Sequence, residues 1–268
     1  MICFQKSIIK LEGFIWKYLV EYIWHEGGIK MADGKIRTEI ILERMIQETS
    51  EIFSFVFKIP GDLTWIPGQH GIFRYRDRQV EEDKGFRIFS IASIIDEGIM
   101  MFSTRITPES TDFKQQLLTM KQGEVMTVEG INGKFKIPDY NKKACIMAGG
   151  IGVTPIRALV KQMESEGVSP AGVTVLYSDD RGQFAYEEDL RKAGEAVNGL
   201  EVILISDRNI FVQKIEEYTK NNGNESAYLI SGTPGNECIY NRKAYQGRNR
   251  KDQYNYGCIH GIRIKTVK

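Results

Sequence analysis

Between Lys35 and Pro138 the chain alternates short β-rich runs with turn residues. In Phe53-Ser54-Phe55-Val56-Phe57-Lys58-Ile59 apolar side chains recur at every second position, the period that lays one face of a strand against a core. The same reading predicts strands over Thr38–Met45, Gly71–Tyr75, Phe86–Ser93, Met100–Ile106 and Val125–Glu129. Pro60-Gly61 and Pro67-Gly68 mark turns, and a single helix is expected over Asp112–Met120. Closely spaced strands with one helix predict a small antiparallel β-barrel.

After Pro138 the rhythm changes. Strand-like segments at Lys143–Met147, Val173–Tyr177, Glu201–Ile205 and Ala227–Ser231 alternate with helical ones at Pro155–Glu166, Tyr186–Ala193 and Phe211–Asn221. In the first of these helices Ile156, Leu159, Val160 and Met163 fall at i, i+3, i+4 and i+7 and form one apolar face, which Gly167 ends. Such alternation predicts a parallel sheet wrapped by helices, an α/β domain following the barrel. The expected organisation is an N-terminal extension over 1–30, a barrel over 31–138, an α/β domain over 139–235 and an atypical tail over 236–268.

Composition narrows the function. The chain has 268 residues, 42% hydrophobic and 26% charged, enough to bury a sizeable core. A formal net charge of +1 and the lack of a basic stripe disfavour nucleic acid as a partner. Cys3, Cys145, Cys238 and Cys258 form no Cys-x-x-Cys pair, so neither a zinc site nor a cysteine-ligated cluster is visible, and a reducing, cytoplasmic setting is expected. Any redox centre must then be an organic cofactor. Within Met1–Lys30, Lys17 and Glu21 interrupt the apolar runs Phe14-Ile15-Trp16 and Tyr18-Leu19-Val20, which argues against a membrane span and a signal peptide. The segment reads either as an amphipathic surface helix or as residues ahead of a true start at Met31, since Glu26-Gly27-Gly28 can be encoded by a purine-rich ribosome-binding sequence.

The most specific local signal is Ala148-Gly149-Gly150-Ile151-Gly152-Val153-Thr154-Pro155, between a strand and an amphipathic helix. Glycine admits close approach to a pyrophosphate, Thr154 is placed to cap the helix and Pro155 suits its first turn. Alone, the run also fits a plain tight turn, and Pro155 stands where a third glycine of G-x-G-x-x-G would be.

That departure resembles the nicotinamide-binding loop of the ferredoxin–NADP reductase superfamily, a glycine-rich turn ending in Thr-Pro. Arg87-Ile88-Phe89-Ser90 resembles the same superfamily's flavin motif, although by itself it is also an ordinary strand with one core side chain between exposed ones. The resemblance implies bound FAD: Arg87 on its pyrophosphate, the Phe89 ring on the flavin in place of a common tyrosine, and Ser90 at the redox-active nitrogen. It further implies flavin contacts from Thr104, Arg105 and Ile106, and a phosphate-binding helix start at Ser110 and Thr111, with Asp112 turned away from the phosphate. Trp65-Ile66-Pro67-Gly68-Gln69 matches a turn early in the flavin barrel, and Gly130-Ile131-Asn132-Gly133-Lys134-Phe135 the hinge between domains.

For the nicotinamide the resemblance implies binding by Gly150, Gly152, Val153, Thr154 and Pro155, and by Gly232 and Pro234 of Ser231-Gly232-Thr233-Pro234-Gly235. Ser231 replaces the cysteine that lies near the reacting carbon. Ser178, Asp179 and Arg181 end the second strand of the sheet, where an acidic residue reads free ribose hydroxyls and an arginine attracts a 2′-phosphate; Asp179 favours NADH and Arg181 leaves NADPH open.

The function so implied is an NAD(P)H-dependent flavoprotein reductase, moving a hydride between NAD(P)H and FAD, with Ser90 and Ser231 at the reacting centre. Electrons then pass to a redox protein or a small-molecule acceptor. The alternatives are a non-catalytic or truncated flavin-binding protein and an electron-transfer subunit of a larger complex. The resemblance breaks after Gly235, where 236–268 is polar and lacks the family's apolar helix and terminal aromatic strand. Codons chosen for Asn236 onward and read one base later can restore both, so a frame-shifted tail that leaves a sheet edge open is an expectation of the sequence.

Overall fold

The computed structural model describes residues 36–81 and 83–232, with three further short strands at Ile23–His25, Gly28–Lys30 and Tyr254–Tyr256. The remainder of the N-terminal extension and of the tail, with the frame-shift reading, lies outside the described residues.

Strands β1 (Ile23–His25) and β2 (Gly28–Lys30) form a hairpin, where the sequence is also compatible with a surface helix. Its second strand pairs with β3 (Ile36–Gln47), a twelve-residue strand that shifts register between Leu42 and Arg44. The first half of β3 pairs with β8 (Val125–Asn132) and the second with β4 (Ile52–Lys58). Beyond these, β4 pairs with β7 (Ile99–Arg105), while β8 pairs with β5 (His70–Tyr75), which pairs with β6 (Arg87–Ser90). All these pairings are antiparallel. A bridge between Ile91 and Phe102 brings the end of β6 back to β7 and curls the sheet into a barrel. Helix α1 (Asp112–Leu118) buries Phe113 and Leu117 in the barrel core beside Phe55, Phe57, Phe73 and Phe102.

Helices wrap a parallel sheet in the second half of the chain. Its strands are β9 (Ala144–Gly149), β10 (Val173–Ser178), β11 (Leu200–Ile205), β12 (Ala227–Ser231) and β13 (Tyr254–Tyr256), in the order β11-β10-β9-β12-β13. Helices α2 (Thr154–Glu166) and α3 (Glu187–Ala196) pack on one face through Ile156, Leu159, Val160, Met163, Leu190 and Ala193. Helix α4 (Arg208–Asn222) covers the other through Phe211 and Ile215, on Cys145, Met147 and Tyr228. The edge of β12 expected to be open is paired with β13 over three residues.

The alternation in β4 holds only in part. Phe55 and Phe57 enter the barrel core, but Ile52 and Val56 on the opposite face are also buried, in a cluster that continues into α2 and β9. That second face packs on the α/β half of the molecule, so the two halves share an apolar core. The turn at Gly68 and the hinge at Phe135, remote in sequence, also touch. A Cβ on Gly68, whose φ is +83°, would lie 1.7 Å from the carbonyl oxygen of Phe135. Only glycine permits that approach.

Candidate functional site

Strand order in the parallel sheet reverses at β9, whose neighbours β10 and β12 lead in opposite directions. In open α/β sheets this switch point, at the carboxyl ends of the strands, is where the crevice for a ligand opens. The glycine-rich run occupies it: β9 ends at Gly149, a 3-10 turn runs over Gly150–Val153, and α2 follows. Gly150 adopts φ +54°. Across the switch point Ser231 and Gly232 close on the turn, so that a Cβ at Gly152 would fall 2.3 Å from the Ser231 carbonyl oxygen. The Ser231 hydroxyl is buried with no hydrogen-bond partner among the described residues. Thr154 does not cap α2. It is the first helical residue, preceded by the 3-10 turn, and its hydroxyl donates back to the Ile151 carbonyl at 2.8 Å. Val153 and Pro155 are buried in the same turn. Pro234 lies outside the described residues.

At the barrel, Arg87 and Thr111 converge from different elements. The Arg87 guanidinium donates to Thr111 Oγ1 at 2.8 Å and to the carbonyls of Lys84 and Phe86. A carboxylate, Asp83, sits on both: it pairs with Arg87 and is hydrogen-bonded to Thr111, and these contacts keep it below the ordinary carboxylate range against the opposing effect of burial. The arrangement is an anion cradle with an internal anion in it. Asp112 accepts from the Glu81 amide and from Gln116. Ser110 instead accepts from the Thr107 amide at 2.9 Å and so serves its own turn.

Phe89 does not present its ring. It is 1% exposed and stacks on Phe102 with centroids 4.4 Å apart and planes 10° from parallel. The short strand β6 directs it into the barrel, where apolar burial outweighs exposure at a surface. Stacking on a flavin would require the ring to leave that packing. Ser90 is buried at the strand end opposite His70, whose imidazole burial holds below its ordinary range. Thr104 and Ile106 are buried in β7 and just after it.

Residues assigned to different cofactors meet between the two halves. Arg105, from the barrel, lies 3.5 Å from Asp179 just after β10, and its guanidinium is 3.2 Å from the place of a Cβ on Gly150. Asp179 also accepts from the Arg181 amide at 3.0 Å, while the Arg181 guanidinium pairs with Glu51 of the barrel. Ser178, buried, pairs in the sheet with Gly149.

Sequence reasoning missed a second set of contacts across the halves. Arg157 of α2 bonds Glu97 through both terminal nitrogens, Asp189 through Nε at 2.7 Å and the Ala92 carbonyl at 2.9 Å. Tyr186 has a φ of +60°, rare for a bulky residue, and is fixed by a hydroxyl contact to Ser103 and a 3.4 Å amide bond to Glu48. Burial pushes its phenol up to about 12. No motif signals these residues, because each contact joins segments remote in sequence.

No family model matches the chain. Among curated proteins, methane monooxygenase component C of Methylosinus trichosporium is 23% identical over 149 residues, 54% of this chain and 42% of its own length. A flavohemoprotein of Candida albicans is 28% identical over 142 residues, 51% of this chain and 35% of its own. The chain therefore spans less than half the length of these relatives. Among solved structures, flavohemoglobin from Malassezia yamatoensis with bound FAD and heme superposes with a TM-score of 0.67 at 18% identity, over 82% of this chain and 59% of that one. A ferredoxin NADP+ reductase from Neisseria gonorrhoeae with bound FAD and NADP gives a TM-score of 0.64 at 14% identity, over 83% of this chain and 99% of that one. The two-domain fold of this chain, a curled antiparallel sheet followed by a parallel-sheet domain, is that of these two solved structures, as the sequence resemblance implied.

Proposed function

We propose that this chain is a flavin-dependent oxidoreductase, which takes electrons from NAD(P)H through bound FAD and passes them to a redox protein or a small acceptor. The observation that carries this reading is the meeting of Arg105 with Gly150 and Asp179: a residue from the barrel stands over the glycine turn at the switch point, so two cofactor sites share one crevice. The FAD domain is 31–138 and the nicotinamide domain 139–235. FAD bound between these residues would supply the redox chemistry. The chain's own residues bind, orient and exclude water.

The residues present fit FAD at its pyrophosphate end. Arg87 and Thr111 already hold a carboxylate between them, and the same guanidinium fork matches the geometry of phosphate oxygens. Ser90 lies beyond them on β6, and Ser231 with Gly232 lines the nicotinamide side. NADH is the proposed donor: Asp179 sets a negative charge at the crevice, and Arg181, the cation on the same loop, is occupied by Glu51. A second reading, a protein that binds flavin without turning it over, is favoured by the burial of Phe89.

Flavin binding is tested by fluorescence titration of the full chain with FAD, and one-to-one binding is expected. Arg87→Ala removes a charge-assisted contact of about 1.5–3 kcal/mol and should weaken FAD binding by roughly 10- to 150-fold. Asp83→Asn, which weakens the internal competitor, should tighten it several-fold. Unchanged affinity in Arg87→Ala would place the cofactor elsewhere.

A further inference from the structure

A turn of the barrel is seated in the loop that follows β10. Glu48-Thr49-Ser50-Glu51 joins β3 to β4. The amides of Glu48 and Thr49 donate to the Ile52 carbonyl at 2.9 and 3.2 Å, and the Ile106 amide donates to the Glu51 carbonyl at 2.8 Å, so the turn is fixed to the barrel. On its other side the Ser50 amide and hydroxyl both donate to Gln183 Oε1, at 3.0 and 2.6 Å. Gln183 stands in the same loop as Asp179 and Arg181. The Glu51 carboxylate is thereby set against that loop. Its Oε2 pairs with the Arg181 guanidinium and lies 3.8 Å from Nε of Arg105, whose Nη2 is 3.5 Å from Asp179. Four charges alternate, Arg181, Glu51, Arg105 and Asp179, and they balance. Asp180, next in the chain, is 3.9 Å from Arg208.

Asp179 alone does not decide between NADH and NADPH in this arrangement, because Arg105 balances its charge and the Arg181 amide engages its other oxygen. The two nucleotides differ only in the 2′-phosphate of the adenine ribose, an anion that requires a cation to spare. Arg181, half exposed on the loop, is the cation on offer, and Glu51 holds it. A phosphate that reaches Arg181 must displace a carboxylate fixed from the barrel and then lie beside its negative charge. We infer that Glu51, a residue of the barrel, is the positioning residue that sets the nucleotide preference: it keeps Arg181 from a 2′-phosphate, and neutralising it opens the site to NADPH. The inference rests on the nicotinamide reading above. The pair is too exposed to matter much for folding, with the Arg181 side chain 50% accessible, so Glu51→Gln should leave the thermal midpoint near that of wild type.

The test is calorimetric titration of the full-length protein, with FAD present, with NAD+ and NADP+, which do not react with oxidised flavin. Wild type is expected to bind NAD+ more tightly than NADP+. Glu51→Gln keeps the shape of the side chain and removes its charge; it should bind NADP+ about tenfold more tightly than wild type does, with NAD+ affinity near its wild-type value. Adding Arg181→Ala to Glu51→Gln should abolish that gain, since the released guanidinium is what the phosphate meets. Damage to the turn would weaken both nucleotides together and would not produce a gain for one. NADP+ affinity unchanged or weaker in Glu51→Gln, a gain that survives Arg181→Ala, or a wild type that binds NADP+ as tightly as NAD+ overturns the inference while leaving the nicotinamide reading standing. Binding of neither nucleotide by wild type overturns that reading and the inference with it.

Discussion

Arg157→Ala is expected to lower the stability of the folded chain by about 3 kcal/mol, the lower end for removing one member of a buried ion pair. The Arg157 side chain is 9% exposed and is bonded to two carboxylates and one carbonyl, and its guanidinium also lies 5.5 Å from the Tyr186 ring centroid. Its partners come from both halves: Glu97 and Ala92 from the barrel, Asp189 from the start of α3. Loss of the arginine leaves two carboxylates without their shared cation and an unsatisfied carbonyl. In a chain of this size the thermal midpoint should drop by about 6–12 °C. Arg157→Met, which keeps the apolar stem, separates charge from packing and should recover only a small part of the loss. A midpoint unchanged in Arg157→Ala would show that the shared apolar core alone holds the halves together.

Gly152→Ala should damage the nicotinamide side with little regard to flavin. The added Cβ meets the Ser231 carbonyl oxygen at 2.3 Å, its carbon at 2.6 Å and Gly232 Cα at 2.7 Å. All three are backbone, so no rotamer change relieves the contact, and the ends of β9 and β12 must separate. Overpacking of this kind costs about 1–3 kcal/mol. Displacing the turn also displaces whatever it positions, and NADH binding is expected to weaken about tenfold or more. FAD affinity, set at the barrel, should remain near wild type. Gly61→Ala is the control, since nothing lies within 4 Å of its added Cβ. Equal NADH affinity in Gly152→Ala and wild type would remove the glycine turn from the site.

Local periodicity carries most of the fold. The apolar face of α2 and the alternating strands of the barrel follow from side-chain spacing alone, and the strand Ala227–Ser231 has the bounds that spacing predicts. What spacing cannot show is what lies behind a strand: β4 reads as one-sided because Ser54 interrupts its apolar run, yet Ser54 is buried, bonded to Glu48 and Ser103, and its neighbours on that face pack on the second domain. Phe89 shows the same limit. A four-residue strand fits a motif whichever face it buries, and packing with Phe102 decides which. The glycine turn is legible because its chemistry and its backbone requirement coincide. Asp83 and Arg157 are not, since their meaning comes from groups brought close only by folding.

The central claim, that electrons pass from a nicotinamide nucleotide to flavin on this chain, is tested most directly by anaerobic rapid mixing of FAD-loaded, full-length protein with NADH and NADPH in turn. The predicted result is rapid bleaching of the oxidised-flavin absorbance, faster with NADH. Stoichiometric flavin that neither nucleotide bleaches would contradict the account and leave a flavin-binding protein without reductase activity.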